Sequence, residues 1–467
     1  MELSSRLRAI VRAAPRRELT YEPDTGRFEG TIDLQRIAEI LGGRPLETTF
    51  GNCLAIDRRY ESDRWHGDVQ IGSCELDDCD DLRLLDPSLT FDDRQRSQWR
   101  APSLRQGYGG SAGAFSDGGS AASRAARTVF IDLETTGMSG GAGTVAFLVG
   151  CGYFDFGAFQ VRQFLLTSYA SERALLSAVT EFFGGTDLIV TYNGKTFDVP
   201  VMETRWSFHR LPMPDFSQQV PHFDMLHPAR RLWSSRIGAD DGSGESGCRL
   251  TTLERDVLGF RRIGDVHGFE IPGRFFQFLR TGDPRPLEPV LEHNRLDLVS
   301  LAVVTGHALR LARAGDQACR DESEALALGR VLERARVLDR AEACYRRAAT
   351  SSCVDVRGEA LYRLGLRCRR DRRFDEAAVA WREMVTLTES ASCRRRAGMK
   401  QLRQFALEAL AIHQEHRERD LDAARELALF ALTDEDAPAS RAEGLRHRVA
   451  RLDRKLARKR NAQLLWS

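Results

Sequence analysis

Lysine is nearly absent from this 467-residue chain. Only Lys195, Lys400, Lys455 and Lys459 stand among 68 basic residues, and arginine supplies the rest. A lysine inside a motif therefore stands out. No CxxC pair occurs. The ten cysteines are scattered, with Cys74/Cys79 and Cys344/Cys353 the closest pairs. This pattern excludes a zinc ribbon and a disulfide framework and fits reduced thiols, so a cytoplasmic location is expected. No apolar run reaches the roughly 18 residues a membrane span needs. The N-terminal MELSSRLRAIVRAAPRR is basic but lacks the apolar core of a secretory signal. Charge of one sign is missing as well: the net value is +1, which excludes a histone-like polycation. With 42% hydrophobic and 29% charged residues the composition is that of a globular protein. The length suggests two to four domains.

Four regions are expected. Residues 1–95 form a small accessory region with a helical stretch at Leu34–Leu41. Residues 96–125 are rich in Gly, Ser and Ala without apolar periodicity and read as a flexible linker. Residues 126–312 alternate strand and helix. Strands are expected at Thr128–Leu133, Val145–Phe154, Phe159–Leu166 and Asp187–Tyr192, the second and third joined by an Asp155-Phe-Gly157 hairpin turn. Helices are expected at Ser171–Phe183, at Asp198 to about His209, and through Asp297–Ala312. Together these predict an α/β domain, a mixed sheet flanked by helices.

Residues 321–467 read as all-helical. Ala327-Leu328-Gly329 recurs as Arg363-Leu364-Gly365, and Arg340-Ala341-Glu342-Ala343 with Tyr345 recurs as Glu376-Ala377-Ala378-Val379 with Trp381. The 36-residue offset is near the period of tetratricopeptide (TPR) repeats. Tyr345, Phe374 and Trp381 are expected in the repeat core, and Leu402–Leu432 reads as a degenerate third copy. This region carries an excess of about seven basic residues, concentrated at Arg448–Arg460.

Three motifs bear chemistry. In Ile131-Asp132-Leu133-Glu134, residues i and i+2 of a strand project two carboxylates to one face. Two like charges side by side call for a cation, and oxygen-only ligation suits Mg²⁺ or Mn²⁺. A lone DxE is also common without metal. Tyr192-Asn193-Gly194-Lys195-Thr196-Phe197-Asp198 follows a strand and opens a helix, so Asp198 reads as a ligand or as an N-cap. In Glu292-His293-Asn294-Arg295-Leu296-Asp297, His293 and Asp297 share a helix face. They suit a water-activating pair, or a surface ion pair.

The order DxE, NxxxFD and HxxxD resembles the DEDD signature of the ribonuclease H-like 3′–5′ exonuclease superfamily across about residues 128–311. YNGKTFD, the segment His222–Trp233, Cys248–Glu254, Asp265–Pro272 and EHNRLDLVSL are similar to YprB-like ribonuclease H-like proteins, as are Glu47–Gly51 and His66-Gly67. The resemblance implies a ribonuclease H-like fold followed by TPR-like repeats. It implies two metal ions on Asp132, Glu134, Asp198 and Asp297, with Asp132 bridging. His293 would orient or deprotonate a water. The implied reaction is hydrolysis of phosphodiester bonds at the 3′ end of single-stranded DNA or RNA. The histidine sits four residues before the last aspartate, where the superfamily's histidine branch has five. Thr135, Thr136, Gly137, Asn193, Lys195, Arg230 and Arg231 are expected substrate contacts. Trp233 offers base stacking beside the two arginines, and Asp224 reads as a supporting carboxylate or cap. The competing reading is a nucleic-acid-binding or scaffolding protein with a vestigial site, whose repeats take a protein partner.

Overall fold

The computed structural model describes residues 33–92, 127–137, 143–212, 220–234, 248–389, 397–432 and 439–464. The expected linker at 96–125 lies outside the described residues.

A seven-stranded sheet organises the molecule. Its strands are β1 (Arg44–Thr48), β2 (Gly51–Glu61), β5 (Thr128–Thr135), β6 (Ala146–Asp155), β7 (Ala158–Leu165), β8 (Leu188–Thr191) and β9 (His222–Asp224), in the order β1-β2-β7-β6-β5-β8-β9. β5, β6 and β7 form an antiparallel meander, while β8 and β9 run parallel to β5. The meander is local because the β6–β7 turn is tight: Phe156 and Gly157 both take positive φ, 48° and 70°, as a two-residue hairpin demands. The parallel strands need helical crossovers. Those are α2 (Glu172–Phe183) and α3 (Asp198–His209).

Residues 44–61 are built into the same sheet. β2 pairs antiparallel with β7 over eight residues, Leu54 opposite Leu165 through Glu61 opposite Ala158. Helix α1 (Leu34–Leu41) precedes β1, capped by Asp33, whose Oδ1 accepts from the amides of Gln35 and Arg36. A two-stranded ribbon, β3 (Trp65–His66) and β4 (Val69–Gln70), follows β2.

Helix α6 (Glu288–Ala314) packs along the sheet, its one side supplying Leu298, Leu301, Ala302 and Leu309 to the core. α4 (Leu226–Trp233) and α6 lie in one core cluster; α2 and α5 (Ile271–Thr281) belong to a second, with Phe147 stacked on Phe275 at 4.2 Å. Glu172 on α2 meets Arg205 on α3 in a buried two-point ion pair, with nitrogen–oxygen distances of 2.6 and 2.5 Å.

After residue 321 every described element is helical: α7 (Glu322–Arg334), α8 (Leu338–Ala348), α9 (Val354–Arg370), α10 (Phe374–Leu387), α11 (Ala397–His413), α12 (Leu421–Leu432) and α13 (Ala439–Leu464). The internal repeat is physical. A β-carbon at Gly329 would lie 2.6 Å from the Tyr345 ring, and one at Gly365 would lie 2.2 Å from Trp381 Nε1. Each glycine lets the first helix of a hairpin close on the aromatic of the second. Tyr345 and Trp381 are buried as expected, and Phe374 is half-buried. The helical region shares its core with the sheet domain. Trp233 is wholly buried there and donates from Nε1 to Glu324 Oε1 at 3.0 Å. Its expected role in base stacking is therefore corrected: no ring face is open to a base. The basic end is also partly committed. Arg448, Arg451 and Lys455 converge on the buried carboxylate of Glu415 at 2.8, 2.6 and 2.7 Å.

Candidate active site

Strand β5 is where the sheet changes from antiparallel to parallel pairing: Thr128–Phe130 pair with β8, and its end, Asp132–Thr135, runs on beyond that pairing along β6. Asp132 and Glu134 leave β5 on the same face, both half-buried, as the strand period requires. Asp198 is the first residue of α3 and is buried. The Asn193–Thr196 loop delivers it there. Asn193 takes φ +68°, and the Asn193 and Lys195 amides donate to the two oxygens of Asp224 at 2.8 and 3.1 Å. Asp224 also accepts from the amide of Leu226 at 3.1 Å, so it acts as the loop's cap.

His293 and Asp297 come from α6, one turn apart, with His293 Nε2 3.4 Å from Asp297 Oδ2. Ligand atoms of Glu134, His293 and Asp297 lie within 4.8 Å of one another. The remaining carboxylates are electrostatically bound to this group. Burial, then Asp297, Glu134 and Asp198, hold the Asp132 carboxyl well above its ordinary range. Burial and the charges of Asp297, Asp198 and Asp265 do the same to Glu134. Burial raises Asp198 to about 7, against the pull of its own amide and that of Leu133. Among the described residues none of Asp132, Glu134 and Asp198 has an ion-pair partner. Buried carboxylates that disfavour their own charge, with oxygen donors only, fit a hard divalent cation.

Asp132 is held from behind. Asn294, fully buried on α6, donates from Nδ2 to Asp132 Oδ2 at 2.7 Å and to the Asp132 carbonyl at 3.1 Å. Gln163 Nε2 on β7 donates to Asn294 Oδ1 at 2.8 Å and fixes the amide's direction. Space for Asn294 exists because β6 has Gly150 there; a β-carbon would sit 2.2 Å from Asn294 Oδ1.

A second polar group closes the site on the α6 side. Arg262 bonds Glu254 at two points, Nε to Oε2 at 2.8 Å and Nη2 to Oε1 at 2.5 Å. It also bonds Asp265 at 3.0 Å and donates from Nη2 to Asp297 Oδ1. Asp265 Oδ1 in turn lies 2.8 Å from His293 Nδ1, which orients the imidazole with Nε2 toward Asp297. Behind Glu254 stands Ser300, hydrogen-bonded to it and 2.8 Å from His66 Nε2 on the ribbon. Burial and Arg262 hold His66 down at about 4, so it is neutral. The ribbon docks through Gly67, whose φ is +62° and whose β-carbon would lie 2.0 Å from the Leu258 carbonyl.

The five sequence-selected residues Asp132, Glu134, Asp198, His293 and Asp297 thus share one site. The expected substrate contacts spread around it. Thr135 Oγ1 donates to the Gly137 carbonyl at 2.8 Å, and Thr136 Oγ1 accepts from the Val145 amide at 3.0 Å, so both shape the turn after β5. The Asn193 side chain accepts from Thr196 Oγ1 at 2.8 Å. Lys195 is exposed, with Nζ 3.8 Å from Asp86 Oδ2. Arg230 is exposed and Arg231 half-buried on α4. Sequence reasoning assigned no role to Asn294, Arg262, Asp265, Glu254 or His66. Asn294 lies inside EHNRLD, Asp265 opens DVHGFEIP, Glu254 closes CRLTTLE and His66 belongs to His66-Gly67, so membership of these motifs was their signal; Arg262 lies outside all of them.

The RNase H superfamily matches residues 129–309, the span from β5 to the end of α6 that carries this site. A Bacillus subtilis (strain 168) protein recorded as "Uncharacterized protein YprB" is 32% identical over 332 residues, covering 70% of this chain and 74% of its own length. By this identity the chain belongs to the family of YprB, and its residues 129–309 form an RNase H superfamily domain.

Proposed function

We propose that this protein is a divalent-metal-dependent nuclease that hydrolyses phosphodiester bonds of DNA or RNA, working 3′ to 5′ from single-stranded ends. One observation carries the reading: carboxylates from β5, α3 and α6 converge, with ligand atoms of Glu134, His293 and Asp297 within 4.8 Å of one another and the charges of Asp132, Glu134, Asp198 and Asp297 felt by each other. Asp132, Glu134, Asp198 and Asp297 would hold two Mg²⁺ or Mn²⁺ ions. When bound, the ions supply charge neutralisation and Lewis acidity for phosphoryl transfer. The chain's own groups do the rest. Asn294 keeps the Asp132 carboxylate aimed into the site. Asp265 holds His293 through Nδ1, leaving Nε2 to accept or orient a proton of an attacking water. Lys195 and Arg230, both exposed, would meet substrate phosphates. The helical hairpins, read as TPR-like, would bind a protein partner.

The experiment uses 5′-labelled single-stranded DNA and RNA with Mg²⁺ or Mn²⁺, beside Asp132→Ala and Asp297→Ala. A ladder shortening from the 3′ end, absent in both variants, supports the reading. Cleavage that survives both substitutions, or no metal-dependent cleavage of any polymer, refutes it and leaves the binding or scaffolding reading.

A further inference from the structure

A fixed positive charge sits inside a site otherwise built of carboxylates. The side chain of Arg262 is only 6% exposed, and its guanidinium stays charged at any pH a protein tolerates. Its anchor is Glu254, whose side chain is 1% exposed and which engages Nε and Nη2 together. Nη1 is committed to Asp265. The second hydrogen of Nη2 goes to Asp297 Oδ1. Asp132, Glu134 and Asp198 have no such competitor among the described residues. The acidic groups of the site are therefore of two kinds: Asp297 is bonded directly to the guanidinium, whereas Asp132, Glu134 and Asp198 are not, although the charge of Arg262 also reaches Glu134.

We propose that Arg262 makes the two metal positions unequal: one ion enters freely on the Asp132/Asp198 side, and a second, which needs Asp297, must displace the guanidinium. This inference rests on the metal-dependent reading above. Asp297 is engaged before any ion arrives, its Oδ1 by Arg262, while His293 Nε2 lies 3.4 Å from its Oδ2. Arg262 cannot yield by losing a proton. It yields only by giving up one charge-assisted hydrogen bond while Glu254 and Asp265 retain it. The second position therefore binds more weakly, and filling it is a separate step. Glu254 becomes the positioning residue that sets how strongly Arg262 resists, and Ser300 with His66 extends that control to the N-terminal ribbon.

The test is Mn²⁺ binding to the full chain, followed by electron paramagnetic resonance and calorimetry, with no substrate present. Wild type should show one tight site and a second at least about tenfold weaker, the equivalent of one charge-assisted bond. Arg262→Gln should tighten the second site by about tenfold and leave the first unchanged. Arg262→Lys cannot bond Glu254 and Asp297 together as the guanidinium does, and should tighten the second site in part. It serves as the second variant if Arg262→Gln fails to fold. Two equal sites in wild type, or a second site unmoved in the folded variants, overturns the inference while leaving the nuclease reading intact. Absence of any Mn²⁺ binding refutes the metal-dependent reading itself.

Discussion

Replacing Asn294 by alanine separates holding the site from holding the fold. The amide makes three hydrogen bonds in full burial: two to Asp132 and one from Gln163. The bond to the Asp132 carboxylate contributes about 1.5–3 kcal/mol if that group is charged, and the two neutral bonds about 1 kcal/mol each. Gly150 offers no side chain to fill the vacancy. The expected loss of stability is therefore about 3–5 kcal/mol, measured by denaturant unfolding of the metal-free protein. A second loss is expected that stability alone does not produce. With Asp132 free to rotate, the tight Mn²⁺ site should weaken by about tenfold or more, since one fixed ligand is worth at least about 1.4 kcal/mol. Gln163→Ala removes only the bond that orients Asn294, and should show the metal defect with a smaller stability cost. If Asn294→Ala unfolds more easily yet binds Mn²⁺ as wild type does, the amide is a packing residue and the argument about Asp132 is wrong.

Asp198 gives a pH signature. Its folded value of about 7 lies above the ordinary 3.8, so between those limits the native state keeps a proton that the unfolded chain has released. Stability in EDTA should then fall as pH rises from about 4 to about 7, and Mn²⁺ should restore it most at the upper end. Asp198→Asn should flatten this slope; an identical slope in denaturation midpoints would reject the assignment. Glu172→Ala breaks the buried ion pair with Arg205, away from the site, and should cost about 3 kcal/mol in unfolding free energy without changing Mn²⁺ affinity. Gly365→Ala pushes a methyl group into Trp381 and should cost about 1–3 kcal/mol, seen as earlier melting of the helical region by circular dichroism. Unchanged melting would show that the hairpin contact is slack.

Much of the sheet domain is legible in the chain because its signals are local. Apolar runs set β5 to β8 to within a residue or two, and Asp155-Phe-Gly157 marks the tight β6–β7 hairpin. β9 escapes because His222–Asp224 is three residues long, too short for any period. β1 and β2 escape because β2 gains its partner β7 only across a hundred residues, and at Asp57, Arg58 and Arg59 it is exposed and charged on both faces, which hides the period. The carboxylates are readable from motif order and from the two periods of strand and helix. Their supports are not. Asn294 meets Asp132 across 162 residues, Arg262 meets Asp297 across 35, and Asp265 meets His293 across 28. A neutral amide or an arginine in a chain full of arginines announces nothing until the fold places it. Trp233 shows the converse: beside Arg230 and Arg231 it suggests a stacking platform, whereas burial against α7 makes it core.

Crystals soaked in Mn²⁺ and measured at the manganese absorption edge test the central claim most directly. The account predicts an anomalous peak enclosed by the carboxylates of Asp132, Glu134 and Asp198, lost in Asp132→Ala. Manganese bound elsewhere, or no peak at that place while the four carboxylates remain as described, would contradict it.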